Sequence, residues 1–362
     1  MSVSHTNMPA VGNNDPGAVL GAIQRAGSHG LCGDDPLAPI LPIMSKYGVS
    51  CSAKQFHQSV NVAFHRAESS VYDQAHRCMW ESLPQQWHVL VHDYAQTGVE
   101  IPSGLVALDI GCGTGLASDL LLNSDLGRHV SHIDLLDTSA EMLERAKERA
   151  RSWRATATCL HGELERLIGS ARKYDVIVVC SVLHHIPDVE GFLTQLRAIQ
   201  APGGIFIHLQ DPNGDFLSDS ALEQRMSELA RQTRRLPGWL RRWNPKRVVS
   251  AANRRLSGKS HESYIKRMND ELLASHILAK AMSERDIWAV TDIHCSDGQG
   301  VQIKQLRRYL PDYILISRRS YGFFGKLYSE LPPSFRPKEQ ELIRQKALNG
   351  SFIAGLWQKA TS

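Results

Sequence analysis

The chain has 362 residues, 42% hydrophobic and 22% charged, enough for one large domain or two smaller ones, and its net charge of +4 is too mild to imply nucleic acid. Its seven cysteines (Cys32, Cys51, Cys78, Cys112, Cys159, Cys180 and Cys295) are scattered, odd in number and without a CxxC pair, which argues against a disulfide framework and a zinc knuckle. No apolar run approaches membrane-spanning length and the polar start Met1–Pro16 lacks a signal peptide's core, so no membrane partner is expected and the cytoplasm is the default compartment.

Residues 1–35 are rich in Gly, Asn, Ser, His and Asp and read as a disordered start, followed by an extended arrival at Pro36, Pro39 and Pro42. A helix is predicted from Ala53 to Leu83, closed by Pro84, and a second from Gln85 to Gln96 with Trp87, Leu90, Val91 and Tyr94 on one face. Strands then alternate with helices, the signature of a parallel sheet with both faces covered. Strands are expected at Leu105–Ile110, His132–Leu136, Thr156–Leu160, Asp175–Cys180 and Gly204–Leu209, and helices at Leu116–Leu122, Ala140–Trp153, Leu164–Ala171 and Val189–Ile199. Helical character returns over Ser218–Arg235 and Ser260–Ser283, sheet-like character over Ile287–His294 and Tyr313–Ser317. A helix at Lys338–Leu348 and a last strand at Phe352–Trp357 complete the chain. The expected division is a disordered start and helical cap (1–98), a central α/β core (99–212), a helical insertion (213–284) and a segment completing the sheet (285–362).

The most informative run is Val106-Ala-Leu-Asp-Ile-Gly-Cys-Gly-Thr-Gly115, an apolar strand ending in an acid and a glycine-dense turn into a helix. Glycines let backbone sit where a Cβ would strike a ligand, and the helix start presents unpaired N–H groups. The spacing G-x-G-x-G differs from the dinucleotide pattern G-x-G-x-x-G/A, whose last position here is Leu116. Three further stations follow at strand ends. Asp137-Thr138-Ser139 leads into Ala140-Glu141-Met142, offering a carboxylate to ribose hydroxyls; His161-Gly162-Glu163-Leu164 offers one to an adenine amine; Cys180-Ser181-Val182-Leu183-His184-His185 brings two histidines.

With D-I-G-C-G-T-G, D-T-S-A-E-M-L, H-G-E-L, Y-D-V-I-V-V-C-S-V-L-H-H-I and A-P-G-G in this order, residues 104–211 resemble the class I S-adenosylmethionine-dependent methyltransferases. The resemblance implies an α/β, Rossmann-like seven-stranded sheet, here with a helical N-terminal cap and a helical insertion after the fifth strand. It implies S-adenosyl-L-methionine as cofactor. The glycine loop (Gly111, Cys112, Gly113, Gly115) would lie under its methionyl part with Asp109 near the ammonium. Asp137, Thr138 and Met142 would serve the ribose side, Glu163 and Leu164 the adenine, and Cys180 the sulfonium side.

Specificity is expected from the cap. His65, Glu68, Tyr72 and His76 fall on one face at helical spacing and are candidates for acid/base or hydrogen-bonding work, a solvated face being the competing reading. As metal ligands they are too spread for one ion, so no metal is expected. One of His184 and His185, with His184 as first choice, is the candidate general base; the other is expected to pack inward. Thr291-Asp292-Ile293-His294 is a candidate pocket wall. The loop after the fourth strand lacks the N/D-P-P-Y/F run of nucleobase amino-methylases, which argues against DNA. From Arg231 to Lys259 there are ten Lys or Arg and no Asp or Glu, with Trp239 and Trp243 among them: a place for RNA, a carrier protein or an anionic substrate, with a solvated surface as the preferred reading. The resulting expectation is methyl transfer to a small molecule of secondary metabolism, by in-line displacement at the sulfonium methyl. The alternative is a cyclase on the same fold, converting S-adenosylmethionine alone into azetidine-2-carboxylate and methylthioadenosine, as in the methyltransferase-like synthases with a long N-terminal cap.

Overall fold

A computed structural model describes residues 35–234, 264–294 and 300–361. The expected disordered start and almost all of the basic segment lie outside those residues. The strands are β1 (Leu105–Ile110), β2 (Val130–Asp137), β3 (Thr156–His161), β4 (Tyr174–Cys180), β5 (Gln200–Pro212), β6 (Tyr313–Tyr321) and β7 (Phe352–Lys359). They form one seven-stranded sheet in the order β3-β2-β1-β4-β5-β7-β6. The first five run parallel, and β7 is antiparallel to both β5 and β6. Val176, Ile177, Val178 and Val179 are all fully buried, because a parallel sheet covered on both faces needs continuous rather than alternating apolar residues.

Register decides what meets at the functional edge. Ile110 pairs with Leu136 on one side and Val179 on the other, Asp137 with His161, and Cys180 with Leu209. The loops after the first four strands therefore open at one carboxyl edge, where the chain order reverses between β1 and β4 and ligands of open α/β sheets bind.

The helices are α1 (Leu41–Tyr47), α2 (Ala53–Glu68), α3 (Tyr72–Ala75), α4 (Arg77–Ala95), α5 (Leu116–Leu122), α6 (Ala140–Ala150), α7 (Val189–Ile199), α8 (Leu222–Arg234), α9 (264–274) and α10 (Glu284–Thr291), followed by Ile303–Tyr309 and Arg336–Arg344. Four expectations need correction. The helix expected over Ala53–Leu83 breaks after Glu68: Ser69 turns its hydroxyl back onto Arg66 O, and Val71 N closes a turn on Glu68 O. Pro84 does not end a helix but sits inside α4. Ile287–His294, read as sheet-like, is largely the helix α10, started by the Ser283 hydroxyl accepting from Asp286 N. The expected helix Leu164–Ala171 shrinks to the single turn Leu164–Leu167.

The cap is assembled from two distant stretches. Ile40, Tyr47, Phe56, Val60 and Phe64 pack with Tyr264, Met268, Leu272, Ile287 and Val290 in a core of their own. Buried polar groups fix this assembly: Asn269 accepts from Met282 N at 2.7 Å and donates to Met282 O at 3.1 Å, and the Tyr47 hydroxyl donates to Asp286 at 2.6 Å. Residues 264–291 thus join the N-terminal helices over the sheet edge. No described helix is long and apolar enough to cross a membrane.

Candidate active site at the carboxyl edge of the sheet

The turn after β1 is shaped by glycines. Gly111 has φ +65°, and a Cβ there would lie 2.5 Å from a Val182 methyl; Gly113 has φ +51°. Gly111 N and Cys112 N both donate to Leu136 O, tying the turn to the end of β2. The next donor, Gly113 N, reaches the Asp137 carboxylate at 2.8 Å, and Ser139 N reaches its other oxygen at 2.8 Å. The Asp137 carboxylate is therefore fixed at the strand end before any ligand arrives. Burial pushes its pKa up, against the two backbone bonds, which favour the charged form.

Asp109, on β1 two residues before Gly111, is fully buried. One oxygen accepts from Ser118 N at 3.0 Å and from the Ser118 hydroxyl at 2.6 Å; the other, Oδ1, has no hydrogen-bond partner among the described residues. Burial lifts its carboxyl to about 7. An orphaned carboxylate oxygen beneath a glycine turn suits a cationic ligand group nearby, and it is the observation on which a cofactor with an ammonium fits this site. Glu163, at the β3 end, accepts from Gln58 Nε2 of α2 at 2.5 Å. Lid and adenine-side station are thus already in contact.

A cavity of about 570 Å³ lies between α2 and the sheet edge, within the roughly 300–1,000 Å³ typical of small-ligand pockets. Of the expected cofactor residues it brings together Gly111, Gly113, Asp137, Thr138, Met142, Glu163, Leu164 and Cys180. Asp109, Cys112 and Gly115 are not on its wall; Gly115 is the N-cap of α5, packed near Trp153 and Arg149.

The expected lid stripe divides. His65 and Tyr72 line the cavity, whereas Glu68 is buried and bound to His76, Nε2 to Oε1 at 3.0 Å. The four do not share one helix face, because the break after Glu68 places Tyr72 on α3 and His76 beyond it. Residues that the sequence did not single out stand beside His65 on the wall: His57, Gln58 and Asn61 of α2. The i, i+4, i+8 spacing of His57, Asn61 and His65 was available as a signal. An anchor holds this lid down: Asp73 accepts from the Thr114 hydroxyl at 2.5 Å and from Arg149 at 2.6 Å.

After β4 the chain makes a tight turn, Leu183–His185, that sends consecutive side chains in different directions. His184, the first choice for a base, turns inward: its backbone N and its Nδ1 lie 3.3 and 3.0 Å from Asp211 Oδ1 at the end of β5. His185 takes the cavity wall, with Nδ1 2.7 Å from Thr291 O and its ring edge-on to His65 at 5.3 Å. Burial, with His184 alongside, holds His185 well below the ordinary histidine value, so it is neutral at pH 7. Burial also penalises charge on His184, but the bond to Asp211 and the charge of Asp292 keep its pKa above the ordinary value.

Residues 108–206 match the family model described as a methyltransferase domain. The ubiquinone biosynthesis O-methyltransferase of Methylocella silvestris is 34% identical over 105 residues, covering 28% of this chain and 38% of that protein. The highly reducing polyketide synthase otaA of Aspergillus niger is 30% identical over 190 residues, covering 47% of this chain and 7% of the synthase. The chain therefore spans well under half the length of these curated relatives. Among solved structures, the plantazolicin methyltransferase BpumL in complex with SAH is similar at 12% identity and TM-score 0.42, over 85% of this chain and 98% of that one. The matched segment contains the glycine turn, Asp137, Glu163 and the β4 turn, so the part of the chain that is similar to methyltransferase domains is the part that builds this edge of the cavity.

Proposed function

We propose that this protein transfers the methyl group of S-adenosylmethionine to a small-molecule nucleophile held between the lid helix α2 and the sheet edge. The observation that carries this reading is that one cavity joins the fixed carboxylates Asp137 and Glu163 to His65, Tyr72 and His185. In this reading Asp137 accepts from both ribose hydroxyls, Glu163 exchanges Gln58 for an adenine amine, and Asp109 balances the ammonium. The bound cofactor supplies an electrophilic methyl. The chain's own work is to hold acceptor and methyl in line, which for a displacement is worth several kcal/mol when the reacting atoms are kept near 3–3.5 Å. His185, neutral and on the wall, takes the proton from an oxygen or nitrogen acceptor as it is methylated. Tyr72, whose phenol burial keeps protonated, orients the acceptor by hydrogen bonding. The similarity of the core to a polyketide synthase segment supports an acceptor from secondary metabolism.

The test is an incubation with S-adenosylmethionine alone and with a panel of phenols, amines and 1,3-dicarbonyl compounds, followed by mass spectrometry of the nucleoside. S-adenosylhomocysteine that forms only with an acceptor is the expected product. Methylthioadenosine from the cofactor alone, with a matching four-carbon amino acid, would replace methyl transfer by cyclisation.

A further inference from the structure

The β4 turn and the end of α10 bring three ligand-type side chains to one point. Asp292 Oδ1 lies 3.3 Å from His185 Nδ1 and 3.8 Å from His184 Nε2. One ligand atom from each of the three residues falls within 4.8 Å of the others. Bonds of about 2.0–2.2 Å set tetrahedral ligand atoms about 3.3–3.6 Å apart, so the two separations at Asp292 fit nearly as they stand and the two imidazoles need close by at most about 1 Å. We propose that His184, His185 and Asp292 form a binding site for a divalent transition-metal ion.

Four features support the assignment. The donor set, two imidazoles and one carboxylate, suits zinc and ferrous iron rather than calcium or magnesium, which prefer oxygen. His184 gives its other nitrogen to the buried Asp211 carboxylate at 3.0 Å, and such a partner fixes ring orientation and raises ligand basicity in metal sites. Both ligating segments are held independently of any ion: His294 N donates to His184 O at 3.4 Å, and His294 Nε2 lies 2.7 Å from Ile186 O. Asp292 has these two histidines as its ion-pair partners among the described residues, so an ion would supply the charge its surroundings lack. Ligation through His185 Nδ1 replaces the bond that this atom gives Thr291 O.

Because His185 also lies on the cavity wall, the ion would stand at the border of the acceptor space. There, by polarising an acceptor oxygen and lowering its pKa, it would take over from His185 the task of releasing that oxygen's proton, His185 acting as base only in the metal-free protein. That role rests on the methyl-transfer reading; the site itself does not. The rival account of the same geometry is a charged His184 bridging Asp211 and Asp292, with no affinity for metal.

The experiment separates them without turnover. The full chain, stripped with chelator and free of S-adenosyl compounds, is titrated with Zn²⁺ by calorimetry, and the zinc-loaded protein is examined by X-ray absorption. One equivalent per chain with nitrogen and oxygen ligands only is expected. Asp292→Asn should weaken binding at least tenfold and Asp211→Asn, which removes the carboxylate behind His184, about 10–100-fold. Absence of saturable binding, sulfur in the first coordination sphere, or unchanged affinity in a folded Asp292→Asn protein would each overturn the proposal. Should Asp292→Asn fail to fold, the ligand set of the wild-type complex decides alone.

Discussion

Replacing Asp137 by Ala tests the site at its best-defined point. The substitution removes the acceptor of two backbone N–H groups, Gly113 and Ser139, each at 2.8 Å. Hydrogen bonds to a charged group contribute about 1.5–3 kcal/mol each, so folding stability should fall by roughly 3 kcal/mol or somewhat more. Two ribose hydroxyls would lose the same carboxylate, about 3–6 kcal/mol of binding, or roughly a hundredfold to ten-thousandfold in Kd. Calorimetric titration with S-adenosylhomocysteine, beside denaturant unfolding of the same samples, reads both numbers. Asp134→Asn is the control. Asp134 is also buried on β2, but its partners are Tyr174, Arg172 and His132, so the change should cost stability and leave affinity intact. Folded Asp137→Ala protein binding within threefold of wild type would refute the assignment of the ribose to this carboxylate.

Three further changes have defined outcomes. His185→Gln should lower kcat about 10²–10⁴-fold with little change in KM for the cofactor, and because His185 is held well below the ordinary histidine value the wild-type rate should stay flat from pH 8 to 6; a steep fall across that range assigns the base elsewhere. His208 is fully buried and burial lowers its pKa to about 4, so below about 6.5 the unfolded chain binds a proton that the folded one refuses. Stability present above that pH is lost as pH falls toward 4, by at most about 3 kcal/mol, and the difference in unfolding free energy between wild type and His208→Leu should shrink accordingly; a difference independent of pH would contradict it. Gly111→Ala combines φ +65° with a Cβ 2.5 Å from Val182 and should cost about 1–3 kcal/mol in thermal unfolding, only partly recovered by Val182→Ala; recovery in full would show that the backbone conformation carries no strain.

The sheet was legible because its signals are local. Continuous apolar runs such as Val176–Val179 and acids at strand ends are written residue by residue, and parallel register then lines up Asp137, Glu163 and Cys180 without further information. The cap was less legible. Its helices depend on a hydroxyl turning back at Ser69 and on a core shared with residues some two hundred positions away, which periodicity cannot register. The helix α10 reads as a strand although Ser283-Glu-Arg-Asp286 is a start signal, because the β-branched Ile287, Val290, Thr291 and Ile293 crowd a short apolar run and outweigh their helical spacing of three. Between His184 and His185 the sequence had no basis for choosing. Asp211, twenty-seven positions from His184, decides which ring turns inward.

The most direct measurement is a crystal structure with S-adenosylhomocysteine bound. Both ribose hydroxyls are expected on Asp137, the adenine amine on Glu163 with Gln58 displaced, and the sulfur facing the space bounded by Tyr72, His65 and His185. A nucleoside bound elsewhere, or one that leaves the Gln58–Glu163 bond in place, would contradict this placement.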